Sequence, residues 1–252
     1  MSVGTKTPGR YDLRSVTLRH TAIVFGATVL VNGANFAFHF GAVRILGLPT
    51  YSALAALLAV YLIFSVPANV LQAVVTTIVG EAVGMDAAGA AALSRGIIKM
   101  ALAAALSIAV LGIVMAPLVA GYLAIGDVVA VYLSFLAIAL GFAVAALRGL
   151  LQGQQRFEAF GISLICEASG NMIFGLGFIA LFGGLRFAVL GNVCAIATAF
   201  IFSSIAVWKP KTEARITLDV RRLVVKSVGT TVALATIAMM SWFDLVLVRH
   251  LT

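Results

Sequence analysis

TVLVNGANFAFHFGAVRILGLPTYSALAALLAVYLIFSVPANVLQAVVT, residues 28–76, contains two long apolar segments joined by a short turn at Pro49. Polar residues recur in both segments at positions i, i+4, i+7 and i+11. They form a first polar stripe of Thr28, Asn32, Asn35 and His39, and a second polar stripe of Ser65, Asn69, Gln72 and Thr76. At about 100° per residue this spacing places each set on one face of a helix. Two neighbouring apolar helices, each with a polar face, are therefore predicted.

The composition predicts an integral membrane protein. Of the 252 residues, 62% are hydrophobic and only 10% are charged, and the apolar runs exceed what a soluble core of this size uses. The net charge of +8 does not indicate nucleic-acid binding, because the basic residues occupy short segments between apolar runs. Cys166 and Cys194 lie inside apolar segments without paired spacing, so neither a disulfide framework nor a metal site is predicted. No cofactor and no enzymatic motif is recognised.

The predicted fold is all-α, a polytopic transmembrane helix bundle of about seven spans. The spans are expected at about 21–47, 48–79, 96–122, 128–151, 157–182, 185–208 and 223–252, with a loop over 81–94. The corresponding domains are a cytoplasmic basic N-terminus (1–20), a six-helix lobe (21–208), a cytoplasmic basic loop (209–222) and the first helix of an incomplete second lobe (223–252). Lys and Arg concentrate on one side of these spans, whereas only Arg44, Arg186 and Arg249 fall on the other. This asymmetry predicts that the N-terminus is inside.

The two polar stripes predict a hydrated cavity. An amide or imidazole group facing lipid is costly, so both stripes are expected to face the protein interior or water. The alternative is that these amides only join neighbouring helices. Pro67 lies within the second stripe and is interpreted as a hinge, with a static kink as the alternative. Gly149 and Gly153 form a GxxxG pattern that predicts tight helix packing.

Several motifs resemble those of polysaccharide and lipid-linked oligosaccharide flippases. They are NF at 35–36, RILG at 44–47, YSALA at 51–55, SVPA at 65–68, RGLLQGQQRF at 148–157 and FDLVLVR at 243–249. These flippases belong to the multidrug/oligosaccharidyl-lipid/polysaccharide exporter (MOP) superfamily. The resemblance implies one lobe of a two-lobed transporter that works by alternating access, incomplete as this chain. It also implies a multi-pass protein of the cytoplasmic (inner) membrane.

The implied substrate is a polyprenyl-linked saccharide, whose head group crosses the membrane while its tail stays in the lipid bilayer. Amides and guanidinium groups suit sugar hydroxyls and phosphates. The substrate cavity is therefore expected to include Asn32, Asn35, His39, Arg44, Asn69, Gln72, Asn171 and Arg249. For Arg44 and Arg249, interfacial anchoring is the alternative. Glycosyltransferases or a polymerase of the same pathway are implied partners.

Two acids within predicted spans, Glu167 and Asp244, are candidates for coupling transport to a proton or sodium ion. A structural hydrogen bond to a neighbouring helix is the alternative for each. Two other functions remain open for the chain: a cation-coupled multidrug exporter of the same superfamily, and a non-transporting membrane scaffold for polysaccharide assembly. A membrane-embedded enzyme is ranked below these because no predicted loop is large enough to carry an active site.

Overall fold

The computed structural model describes residues 13–85 and 87–207, all of which belong to helices or the short turns between them. The elements are α1 (Leu13–Met85), α2 (Ala87–Tyr122), α3 (Val128–Gly153), α4 (Phe157–Gly170), a π-helical segment (Asn171–Gly175), α5 (Leu176–Phe182) and α6 (Leu185–Val207). Five of the resulting helical stretches are long and apolar enough to cross a membrane: Thr21–Gly80, Ala92–Tyr122, Val128–Gly153, Phe157–Phe182 and Leu185–Val207. The predicted all-α membrane fold is confirmed.

The 60-residue stretch Thr21–Gly80 contains the first and second spans, which fold back on each other at Gly47. Gly47 has φ 73° and ψ 163°, a backbone conformation that favours glycine. The Nδ1 atom of His39 lies 3.0 Å from the hydroxyl oxygen of Tyr51. In a straight helix, residues twelve apart would be separated by roughly 18 Å along the axis. The chain therefore reverses between them, and the described residues contain six spans.

Most predicted boundaries agree with the structure to within a few residues, but the loop expected over 81–94 is wrong. The first long helix continues to Met85, and the next helix already begins at Ala87. The segment after position 86 is rich in alanine, the residue with the highest helix propensity. Small residues that resembled a loop therefore extend the helices instead.

The fourth span, Val128–Gly153, is the centre of the bundle and contacts the second, third, fifth and sixth spans. Its glycines allow one very close approach. A Cβ atom at Gly149 would lie 2.7 Å from the carbonyl oxygen of Gln72, and one at Gly153 would lie 2.8 Å from that of Thr76. The C-terminal half of the second span therefore packs directly on this glycine pair, as the GxxxG pattern predicts.

Polar contacts join different spans at each end of the bundle. At one end of the bundle, Asp127 caps the fourth span by accepting a hydrogen bond from the Ala130 amide, and it also forms a 3.0 Å ion pair with Arg186 of the sixth span. At the opposite end, the guanidinium of Arg156 donates to the carbonyl oxygen of Ala206. These contacts fit the alternating up-and-down order of the spans. The predicted basic loop and seventh span, with Asp244 and Arg249, lie outside the described residues.

Candidate functional site

A small cavity of about 50 Å³, partly open to the surroundings, lies between the second, fourth and fifth spans. Its wall combines aromatic, amide and charged side chains with small apolar ones. The lining residues are Tyr61, Phe64, Ser65, Ala68, Asn69, Gln72, Ile138, Gly141, Phe142, Val144, Ala145, Arg148 and Glu167. This is a site with polar groups at mid-span depth.

The second polar stripe supplies one wall of this cavity. Ser65, Asn69 and Gln72 line it, while Thr76 lies one turn further along and donates a 2.9 Å hydrogen bond to the carbonyl oxygen of Gln72. The Nε2 atom of Gln72 donates to Oε1 of Gln152 on the fourth span at 2.9 Å. The stripe thus has two parts. Its C-terminal part, Gln72 and Thr76, bonds the fourth span, and its N-terminal part, Ser65 and Asn69, faces the cavity.

An ion pair between Arg148 and Glu167 forms the opposite wall. Nη2 of Arg148 lies 2.7 Å from Oε2 of Glu167, and the two side chains are 11% and 26% exposed. Arg148 also donates from Nε to the Ser163 hydroxyl at 3.0 Å and from Nη2 to the Ser163 carbonyl oxygen at 2.8 Å. The Ser163 hydroxyl is in turn 2.8 Å from that of Ser203. This network joins the fourth, fifth and sixth spans.

The charges on this wall cancel formally, because one guanidinium group faces one carboxylate. The Tyr61 hydroxyl lies beside Glu167 and close to Gly141, where an added Cβ atom would be 3.2 Å away from it. Hydroxyl, amide and paired charged groups therefore surround a space that Phe64 and Phe142 also line. Such a lining suits a polar ligand with apolar faces.

The first polar stripe does not line this cavity. Asn32 and His39 are exposed and Asn35 is half-buried, and His39 pairs with Tyr51 as described above. Arg44 lies over the ring of Phe40, with its Cζ atom 4.2 Å from the ring centroid. The structure thus brings Asn69, Gln72 and Glu167 together, but it places the first-stripe candidates on another surface.

Asn171 lies deeper in the helix packing. Its Oδ1 atom is buried without a hydrogen-bond partner among the described residues, at the start of the π-helical segment. A Cβ atom added to Gly175 would lie 3.4 Å from this oxygen and 2.6 Å from the ring of Phe38. Asn171 is not among the residues that line the cavity with Glu167, Asn69 and Gln72.

Sequence reasoning missed the role of Arg148 in the site, since this residue was counted among the charges at the inner end of the fourth span. The missing signal was its position five residues before Gly153, well inside the helix. A long side chain at that depth can reach an acid of the next span. Tyr61 and the Ser163–Ser203 pair were also missed, because nothing in their spacing separates them from ordinary packing residues.

No family model matches the sequence, and neither does any curated protein. Solved transporters share its fold. One is a MOP superfamily transporter from Pyrococcus furiosus, described as having a binding pocket of reverse polarity that suggests a different function; it is 14% identical, with a TM-score of 0.66, covering 94% of this chain and 56% of that one. Another is an outward-facing multidrug resistance MATE family transporter of the MOP superfamily, 15% identical, with a TM-score of 0.65 and the same coverages. The chain spans about half the length of these transporters.

Proposed function

We propose that this membrane protein is a transporter of the MOP type that moves a lipid-linked oligosaccharide or polysaccharide precursor across the cytoplasmic membrane by alternating access. The observation that carries the proposal is the mid-span cavity, whose wall holds Asn69 and Gln72 opposite the Arg148–Glu167 pair. The fold of the solved transporters supports the transport step. The saccharide substrate rests on the chemistry of the wall.

Sugars present hydroxyl groups around their edges and apolar C–H groups on their faces. Asn69 and Gln72 offer both donors and acceptors, and the rings of Tyr61 and Phe64 offer flat apolar surfaces. A neutralised ion pair adds strong hydrogen-bonding groups without a net charge. A neutral or weakly charged glycan therefore fits this wall better than a bare cation does.

The transport cycle requires the cavity to open alternately to each side. The part of the second span after Pro67 is held by Gln152 and the glycine pair. Pro67 itself removes one backbone hydrogen bond from the helix beside the cavity. We expect the part of the span before Pro67 to move about this residue during the cycle. Ion coupling through Glu167, and through Asp244 outside the described residues, is part of the proposal. So are an inside N-terminus and partnership with pathway glycosyltransferases or a polymerase.

A cation-coupled multidrug exporter is the second candidate, and one observation favours it. Glu167 keeps 26% of its side chain exposed at the cavity wall, so an acid is available to a cationic drug. The likeness to a multidrug resistance transporter supports this candidate as strongly as the first. What opposes it is Arg148, since a guanidinium 2.7 Å away already neutralises that acid.

Translocation in proteoliposomes distinguishes the two candidates. We expect the purified protein to move a fluorescent polyprenyl-diphosphate oligosaccharide from the inner leaflet to the outer leaflet. There a membrane-impermeant quencher can reach it. The variant Asn69→Ala should slow this by about fivefold, because one lost hydrogen bond is worth about 1 kcal/mol. Ser107→Ala is the matched control, since Ser107 is exposed on the third span and bonds only the carbonyl of Ala103 in its own helix.

The same vesicles are loaded with ethidium under a proton or sodium gradient. Ethidium movement without glycolipid movement would reject the saccharide substrate in favour of the drug exporter. Movement of neither compound would contradict both candidates.

A further inference from the structure

The guanidinium of Arg148 has hydrogen-bond donors that the described residues leave without an acceptor. Its Nε and Nη2 atoms bond Ser163, and Nη2 also makes the ion pair with Glu167. Its Nη1 atom has no hydrogen bond to any of the described residues. Because Arg148 lines the cavity, the two N–H groups of Nη1 can donate hydrogen bonds to a group that enters the cavity.

Glu167 is the more accessible partner of this pair, at 26% exposed against 11% for Arg148. Ser163 holds Arg148 in place through both its hydroxyl and its carbonyl oxygen. The guanidinium is therefore the fixed member and the carboxylate the exchangeable one. An oxyanion from the cavity would meet a positioned cation whose present counter-ion can move aside.

We propose that Arg148 is a binding site for an oxyanionic group of the substrate, a phosphate or a sugar carboxylate, and that this group displaces Glu167, which then takes up one proton. The ion pair breaks, a new pair forms between Arg148 and the ligand, and the released carboxylate takes up a proton from the buffer acid in the bulk solution, which remains there as its conjugate base. For a monoanion the net charge of the site is unchanged. This inference rests on the proposed function, because it assumes that the cavity receives the substrate head group.

The proton uptake follows from the surroundings of Glu167. An ionised carboxylate at membrane depth needs a counter-charge, and once Arg148 is occupied by a ligand it has none, so the acid becomes neutral. Tyr61 from the second span and Arg148 from the fourth face Glu167. The sixth span contributes the uncharged Ser203 through Ser163, and the first span packs on the fifth with Ala27 near Gly161. Arg156, which caps the start of the same span, and Glu158, in its first turn, lie at that end of the span, more than two turns from Glu167.

Calorimetry of the purified protein in nanodiscs tests the exchange. Inorganic pyrophosphate and glucuronate are titrated separately, each in two buffers that differ in ionisation enthalpy. We expect the wild type to take up about one proton per bound anion, as linkage requires. Binding of pyrophosphate alone would identify the lipid diphosphate as the source of the oxyanion, and binding of glucuronate alone an acidic sugar.

Three variants complete the test. Glu167→Gln should abolish proton uptake and tighten anion binding by roughly tenfold to a thousandfold, the range expected when a competing paired carboxylate is removed. The double variant Arg148→Gln/Glu167→Gln leaves no unpaired charge, so it should fold, as checked by circular dichroism, yet lose binding. Arg186→Gln breaks the exposed Arg186–Asp127 pair away from the cavity and should bind like the wild type.

Failure of this inference is separable from failure of the proposed function. Binding of neither anion, binding without proton uptake, or binding that survives in the double variant would overturn the exchange. Translocation of the lipid-linked saccharide would then still stand. Anion binding with proton uptake in a protein that does not move the saccharide would instead uphold the exchange and reject the substrate.

Discussion

Arg148 lines the candidate site and also connects the fourth span to the fifth. Its side chain contacts Ser163 and Glu167 of the fifth span, and Ser163 connects it to Ser203 of the sixth. Arg148, Ser163 and Ser203 are polar residues with little exposure. Each of them therefore relies on the others for its hydrogen bonds. A single replacement therefore disturbs several groups at once.

Arg148→Gln should lower the free energy of unfolding by about 2–3 kcal/mol, because Glu167 loses its counter-charge in a mostly buried setting. Unfolding by a graded series of SDS concentrations in detergent micelles measures this. The double variant Arg148→Gln/Glu167→Gln is the control, and it should be closer to the wild type because no isolated charge remains. Equal losses in both variants would contradict an electrostatic role for the pair.

At this scale the sequence identifies residue types better than partners. Glu167, Asn69 and Gln72 are predicted as site residues, and the structure places all three around one cavity. Arg148 and Tyr61 are not, because helical spacing relates residues within one span and not across spans. That the predicted residues act on a substrate stays a prediction.

The second and fourth spans make a close contact at the glycine pair of the fourth span. Gly149 and Gly153 let the carbonyl oxygens of Gln72 and Thr76 approach the fourth helix. The hydrogen bond from Gln72 to Gln152 then joins the same two helices. The sequence predicts close packing at the glycine pattern. It does not identify the partner helix, because a GxxxG pattern carries no information about which helix packs on it.

Gly149→Ala should destabilise the protein by about 1–3 kcal/mol, the usual cost of overpacking a close contact. An added Cβ atom would lie 2.7 Å from a backbone oxygen, so the helices must separate. Thermal unfolding in detergent measures the change. Gly177→Ala, where a Cβ atom meets nothing within 4 Å, is the control and should be neutral or slightly stabilising. Equal behaviour of the two variants would contradict the close packing.

The order of the spans is predictable because apolar length and Lys/Arg placement are properties of the chain itself. The packing of the spans was not. The first and second polar stripes have the same spacing, yet only the second lines the cavity. Periodicity fixes one face of each helix but not the direction in which that face points, which is decided by neighbouring helices.

The predicted orientation can be tested directly on the intact fold. Cys166 and Cys194 are first replaced by serine, and single cysteines are then introduced at Leu48 or Gln155, which lie at exposed turns at opposite ends of the spans. Because basic residues concentrate on the side of Gln155, that side should be cytoplasmic. A membrane-impermeant maleimide should label the Leu48→Cys variant in intact cells and the Gln155→Cys variant only after permeabilisation. The reverse pattern would invert the orientation, and with it the direction in which the cavity opens to its substrate.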